Sequence, residues 1–328
     1  MVKKLFFGIA VGFFFVYLSF RGVDLGGIAD GLKNTKASFI PSILGLLVFI
    51  QILRSYRWGI ILKPIMAVDQ LSLFSVTSVG FLAVIAIPAR IGELARPYLI
   101  STKTGISMSS AVGTILVERV FDGLSVLTLF FIVVLFTPVP SWLIRGSLLF
   151  FFITLAFLGL ITLLILRRKA SLNFLAPLLK RFPERWHLKL AHLIDSLIDG
   201  FTIIPHRRSM CYLAFLSVMI WVINAVAMYL FFFAFDFDLP LSAAFVLMVV
   251  VILGIAIPTA PGFVGNWHFF CVLGLGLFGI NKADALPYAI VLHFLSIGTI
   301  AILGLAFLPF NRFSLSDIKH RLSAGRDV

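Results

Sequence analysis

The chain has 328 residues, 61% of them hydrophobic and 12% charged, with a mean hydropathy of +1.10. No soluble domain of this size hides that much apolar surface, so the composition excludes one and defines a polytopic helical membrane protein. The net charge of +13 does not indicate a nucleic-acid partner, because the basic residues fall between apolar runs, where they set topology and meet anionic lipid head groups.

In chain order, Met1-Val2-Lys3-Lys4 and the apolar run 5–20 have the shape of a signal peptide. No small-residue cleavage pattern follows and Arg21 closes the run, so an uncleaved first span is predicted. A glycine-rich loop of mixed charge occupies 21–38, and span two covers 39–62 with Arg54, Arg57 and Lys63 near its end. Residues 71–88 are apolar up to a Pro–Gly break, and 91–104 are too polar for an ordinary span. Together, 71–104 are predicted as a re-entrant hairpin, which a bilayer tolerates where protein covers the backbone. Spans follow at 111–136, with Glu118, Arg119 and Asp122 in its first third, and at 146–166.

A basic connection then runs over 167–208. Within it Leu190, Leu193, Ile194, Leu197, Ile198 and Phe201 recur at helical spacing, the pattern of an amphipathic interfacial helix. A span at 210–235 contains Asn224; residues 241–280, broken at Pro258, Pro261 and Gly262, form a second hairpin; the last span, 286–308, contains His293; a basic tail ends the chain. Cys211 and Cys271 form neither a disulfide framework nor a metal site, and no cofactor is expected.

The motif IAIPARIGELAR (85–96) has an echo in IAIPTAPG (255–262), at an offset of 170 residues that also relates Leu71-Ser72 to Leu241-Ser242. With a cytoplasmic N-terminus, of the 27 lysines and arginines only Arg21, Lys33, Lys36, Arg145 and Lys282 fall on the far side. That bias obeys the positive-inside rule and puts both termini in the cytoplasm. It also makes the two hairpins enter from opposite sides. The expected fold is therefore all-α, one integral membrane domain over 1–328, with six full spans and two opposed re-entrant hairpins. Its inverted-repeat halves are 39–136 and 210–308, the plan used for alternating access.

Charges beside a helix break in hydrocarbon are costly and mark function. Pro88 and Gly92 unwind the backbone between Arg90 and Arg96, whose guanidinium forks suit phosphate. Glu93 can balance one of them. Glu118 and Asp122 share a helix face beside Arg119. In the second break Pro261, Gly262, Gly265, Asn266 and His268 form the polar tip, with Trp267 beside them. An internal ion network that seals the fold is the competing reading of the charged set. No Walker A, HExxH or GxSxG pattern is present.

RIGELAR (90–96), ERVFD (118–122) and PTAPGFVGNWH (258–268) resemble the lysylphosphatidylglycerol synthetase transmembrane family, also called the flippase-like or uncharacterised-family-0104 membrane domain. The resemblance covers about residues 5–310. It implies Arg90, Gly92, Glu93, Arg96, Glu118, Arg119 and Asp122 as one polar cluster and Pro258, Pro261, Gly262, Gly265, Asn266 and His268 as the second break. In bifunctional relatives a soluble aminoacyl-transfer domain follows; none follows the last predicted span here, so the resemblance implies lipid translocation at the cell (inner) membrane rather than lipid synthesis. Phe263 and His268 stand where many relatives carry a second glycine and an acid, which points away from a cationic aminoacyl-lipid and toward an anionic or phosphate-bearing one. Two alternatives stay open: a membrane-embedded transferase with Glu93 or Asp122 as base, and a non-transporting accessory subunit of an envelope-lipid pathway.

Overall fold

The computed structural model describes residues 2–23, 25–87, 92–166, 199–201, 207–257 and 260–311. Arg90, Pro258, the C-terminal tail after Asn311 and most of the predicted amphipathic connection lie outside these residues. The described elements are all helical: α1 (Val2–Phe20), α2 (Leu25–Lys33), α3 (Ile40–Leu62), α4 (Gln70–Ala86), α5 (Ala95–Thr104), α6 (Met108–Val134), α7 (Ser141–Leu166), α8 (Arg207–Ala234), α9 (Leu241–Ile255), α10 (Asn266–Gly276) and α11 (Lys282–Phe307).

Among the described residues four helical stretches, Ala37–Leu62, Ser141–Leu163, Arg207–Ala234 and Lys282–Phe310, are long and apolar enough to cross a membrane. The predicted spans at 5–20 and 111–136 correspond to α1 and α6; the latter has 27 residues but carries Glu118, Arg119 and Asp122. α4 and α9 are apolar but have 17 and 15 residues. At 1.5 Å per residue each is about 22–25 Å long, short of a hydrocarbon core of roughly 30 Å.

Local chemistry sets the starts of these helices. Asp69 caps α4 by accepting from the Ser72 N–H at 2.8 Å, Ser107 caps α6 by accepting from Ser110 at 3.1 Å, and Asn281 caps α11 by accepting from Asp284 at 3.0 Å. Each satisfies an N–H that the first helical turn leaves without a partner. α4 ends because the residue before a proline is pushed out of the helical region: Ile87, preceding Pro88, is extended at φ −101°, ψ 123°.

After each break the chain folds back on the helix it has just left. A Cβ on Gly92 would lie 2.1 Å from the Ala83 carbonyl oxygen, so hydrogen is the side chain that fits against α4. In the second break Asn266 donates to the carbonyls of Gly254 (3.2 Å) and Ile257 (3.3 Å), tying the start of α10 to the end of α9. Gly265, at φ +96°, closes the turn in a conformation that favours glycine. α1 backs this turn so closely that a Cβ on Gly265 would lie 2.2 Å from the Gly12 carbonyl oxygen.

The packing relates two four-helix units, α3–α6 and α8–α11. α3 packs on α8, its own counterpart. Each other pairing has a mate under exchange of the units: α4 on α11 and α9 on α6; α8 on α6 and α3 on α11; α3 on α4 and α8 on α9; α4 on α5 and α9 on α10; α5 on α6 and α10 on α11; α3 on α6 and α8 on α11. The broken pairs begin at opposite ends of the bundle. Asn311, just after α11, donates to Ser75 near the start of α4 at 2.5 Å. At the other end Lys36, before α3, pairs with Asp236, just ahead of α9. Lys282, the first residue of α11, reaches the carbonyls of Leu18 (2.6 Å) and Arg21 (2.7 Å) at that same end.

The core follows this plan. One buried cluster, including Phe231, Phe232, Leu247, Cys271 and Tyr288, joins α8 to α11. A second, including Trp58, Val79, Tyr98, Val117 and Phe201, joins α3 to α6. Phe201 is 1% exposed, so the end of the basic connection anchors in the first unit's core.

Candidate functional site

Four elements converge on a buried ion network. Arg57 of α3, Arg96 of α5 and Glu118 of α6 are 1%, 2% and 0% exposed. Arg96 grips Glu118 with both terminal nitrogens, at 2.9 and 3.0 Å, the bidentate geometry that makes such pairs strong. Arg57 lies 3.4 Å from the same carboxylate and donates to Asp122 at 2.6 Å and to the Ser217 hydroxyl of α8 at 2.8 Å. The Trp221 indole N–H donates to Asp122 at 3.0 Å, a further tie to α8. The guanidinium of Arg96 lies 4.3 Å from the Trp58 ring centroid, and the Trp58 N–H in turn donates to Thr114 at 3.0 Å. Gly80 makes room for this: a Cβ there would sit 2.1 Å from Cγ of Arg96.

Arg119 marks the network's open edge. It donates to Glu118 at 3.2 Å and lies 3.8 Å from Asp122, with 47% of its side chain exposed. It faces a cavity of about 270 Å³ between the two units. Leu47, Ile50, Gln51 and Arg54 line the cavity from α3 at i, i+3, i+4, i+7 spacing, one face of a helix. Phe81, Val84 and Ile85 come from α4, Glu93 from the first break, Trp221 and Asn224 from α8, Phe263 and Trp267 from the second break, and His293, Ser296, Ile297 and Thr299 from α11. Its walls are thus mostly apolar, with charge concentrated on the first unit's side. Arg54 reaches this side with its guanidinium 5.1 Å from the Phe81 ring centroid.

Phe263 has φ +58°, a region bulky side chains rarely occupy. The second break carries no charge. His293 bonds the Gly262 carbonyl oxygen through Nε2 at 2.9 Å and stacks on Trp267, with ring centroids 5.1 Å apart and planes 14° from parallel. His268 meets His293 edge-on at 4.8 Å, and its Nδ1 accepts from the Gly265 N–H at 3.4 Å.

The predicted site residues therefore separate into groups. Glu93 and Arg119 line the cavity. Arg96, Glu118 and Asp122 form the network behind it, with Gly92 buried against α4. Pro261, Gly262, Gly265 and Asn266 build the second turn, and His268 packs behind His293. Arg90 and Pro258 are outside the described residues. Residues not singled out from the sequence are Arg57, at the centre of the network, and Arg54, Gln51 and Trp221 in the cavity wall. Arg54 and Arg57 had a legible signal: two arginines three apart, each inside the apolar pattern of span two rather than beyond it. Among the described residues no group of His, Cys, Asp or Glu has the arrangement of a metal site.

Fold and site together define a polytopic helical membrane protein with a charged cavity between two similarly packed units. The chain belongs to the family described as the lysylphosphatidylglycerol synthase TM region, whose model matches residues 5–304. It is similar to a UPF0104 membrane protein of Methanothermobacter thermautotrophicus, 24% identical over 308 residues covering 89% of this chain and 91% of the relative. A UPF0104 membrane protein of Methanocaldococcus jannaschii is 24% identical over 225 residues, 66% of this chain and 89% of the relative. No solved structure matches the chain.

Proposed function

We propose that the protein moves a polar, phosphate-bearing lipid between membrane leaflets, binding its head group in the cavity between the two units. The observation that carries this reading is the cavity's polarity. It is apolar over most of its wall, and one side carries Arg54 and Arg119 together with Glu93. Arg54, Arg57, Arg96 and Arg119 stand against Glu93, Glu118 and Asp122, which leaves one positive charge in surplus among these residues for an anion to neutralise. The volume matches a head group and not a pair of acyl chains, since drug-sized pockets begin at about 300 Å³. The chains would stay in the bilayer.

In this reading Arg54 and Arg119 bind the phosphate, while Arg96, held bidentately by Glu118, fixes the floor on which they stand. The mated packing of the two units, with broken helix pairs starting at opposite ends, supports an inverted repeat with two opposed re-entrant hairpins and alternating access. Six full spans and cytoplasmic termini complete the topology. Membership of the lysylphosphatidylglycerol synthase TM region family supports a lipid-related role.

The test is flipping in liposomes reconstituted with the purified protein and a fluorescent anionic phospholipid, with dithionite quenching the outer leaflet. The expected result is protein-dependent loss of the protected inner-leaflet signal, slowed at least about tenfold in Arg54→Gln, the scale of one charged hydrogen bond. A rate equal to that of protein-free liposomes overturns the proposal.

A further inference from the structure

Most polar side chains in the cavity wall are tied to neighbours. Asn224, Ser296 and Thr299 donate to carbonyls of their own helices at 3.0, 2.8 and 2.8 Å. Trp221 donates to Asp122 at 3.0 Å and Arg119 to Glu118 at 3.2 Å. Gln51 is different. It is 4% exposed, yet its carboxamide, with two N–H donors and a carbonyl acceptor, makes no hydrogen bond among the described residues. A buried amide left in that state costs free energy, and buried polar groups ordinarily find partners.

The place of Gln51 on α3 sets where its amide is directed. Leu47, Ile50, Gln51 and Arg54 form the stripe of α3 that lines the cavity, and a helix meets the space beside it through its side chains. Neither amide atom of Gln51 is sealed off in the way that Nε of Arg57 and Nε of Arg96 are, so the amide keeps accessible surface on this stripe. Arg54 stands three residues on, a helix neighbour whose Cβ is about 5–6 Å away. Its guanidinium lies 5.1 Å from the Phe81 ring centroid and makes no ion pair or hydrogen bond among the described residues. α3 thus offers the cavity two adjacent sets of unfilled donors, one charged and one neutral. An apolar group would leave both empty, and Arg54 would repel a cation. An anion with several oxygens fills both, because each oxygen can accept from a different donor. We propose that Gln51 is a second ligand of the phosphate, donating an amide N–H to the anion that Arg54 holds. It adds a hydrogen bond without adding charge. This rests on the anionic-lipid reading above and assigns that site a further specificity-determining residue.

The test compares phosphatidylglycerol with diacylglycerol of the same acyl chains, which lacks the phosphate. Binding to the purified protein in detergent is measured by native mass spectrometry, and thermal melting is followed on the lipid-free samples. The parent is expected to bind phosphatidylglycerol more tightly. Gln51→Leu removes the amide at similar volume; it should weaken phosphatidylglycerol about tenfold, the effect of one hydrogen bond to a charged group, and leave diacylglycerol unchanged. Its Tm should be level with the parent's or higher, since an apolar side chain replaces a buried amide that has no partner. Gln51→Glu, nearly isosteric, places a carboxylate beside Arg54 and should weaken phosphatidylglycerol further than Gln51→Leu does. The proposal is overturned if either variant binds phosphatidylglycerol as the parent does. It is also overturned if Gln51→Leu lowers Tm and weakens both lipids together, which would make Gln51 a packing residue. In those cases Arg54→Gln still weakens phosphatidylglycerol. If the parent does not prefer phosphatidylglycerol, or Arg54→Gln binds it as the parent does, the anionic-lipid reading itself fails and the assignment of Gln51 falls with it.

Discussion

Glu118→Gln tests whether the buried network holds the fold together. The carboxylate is fully buried and accepts from Arg96 at 2.9 and 3.0 Å and from Arg119 at 3.2 Å, with Arg57 at 3.4 Å. Glutamine keeps the shape and removes the charge. Arg96 and Arg57 would then be buried with one carboxylate, Asp122, between them. Breaking one side of a buried pair costs about 3–5 kcal/mol, because the remaining charge is desolvated without compensation. With an unfolding entropy of ~2.1 cal/mol/K per residue, a chain of this length should lose about 4–7 °C in Tm. The measurement is thermal melting of the detergent-purified protein, followed by loss of the monodisperse gel-filtration peak. Two controls sharpen it. Arg119→Gln, whose side chain is half exposed, should cost less than about 1 kcal/mol. The double variant Arg96→Met with Glu118→Gln should recover part of the loss, since both charges of the pair are gone. The reasoning is refuted if Glu118→Gln melts with the parent, or if Arg119→Gln costs as much as Glu118→Gln.

Two further predictions concern the ends of the molecule. Asp69 is exposed and accepts from the Ser72 N–H; that hydrogen bond lowers its pKa below the usual 3.8. Its capping contribution should therefore be complete above about pH 4 and fade as pH falls through the lowered value, so Asp69→Ala should melt about 0.5–2 kcal/mol less stably at pH 7 and converge on the parent in strong acid; a pH-independent difference would exclude the carboxylate as the cause. In a background with Cys211 and Cys271 replaced, Asn281→Cys should react with an impermeant thiol reagent in intact cells and Lys63→Cys only after permeabilisation; the same accessibility at both positions would refute the opposed topology.

Much of the scaffold was legible because both breaks are written in residues with strict backbone consequences. Pro88 forces Ile87 out of the helix, and Gly92 and Gly265 sit where a side chain would collide with a carbonyl. ERVFD was legible as a meeting point of buried charge because three charges in an apolar helix require partners, and each is ion-paired. The division of labour within the charged set was not. Spacing along α6 shows that Glu118 and Asp122 share a face, but it cannot show which arginine faces them. Arg57 reads as one of several basic residues near a span end, where positive charge ordinarily reports topology. Its partners Asp122 and Ser217 are 65 and 160 residues away in the chain, so their meeting is a property of α3 packing between α6 and α8. Trp267 likewise reads as an interfacial anchor, and its stack on His293 depends on how α10 meets α11.

The two units share a packing plan but not a chemistry, and the difference follows from what each break must support. The first break is joined to a network in which every buried carboxylate bonds to an arginine, and that network reaches α8 through Ser217 and Trp221. Separating those partners would desolvate charge, so α8 and the first unit's α3, α5 and α6 must move as one body in any rearrangement that keeps the network dry. The second break carries neutral groups and rests on glycine contacts with α1, on hydrogen bonds from Asn266 to the Gly254 and Ile257 carbonyls, and on one from His293 to Gly262. Neutral contacts of this kind cost far less to remake than buried ion pairs. A change of access in the cavity would therefore fall to the second break and α11, moving against a fixed basic floor.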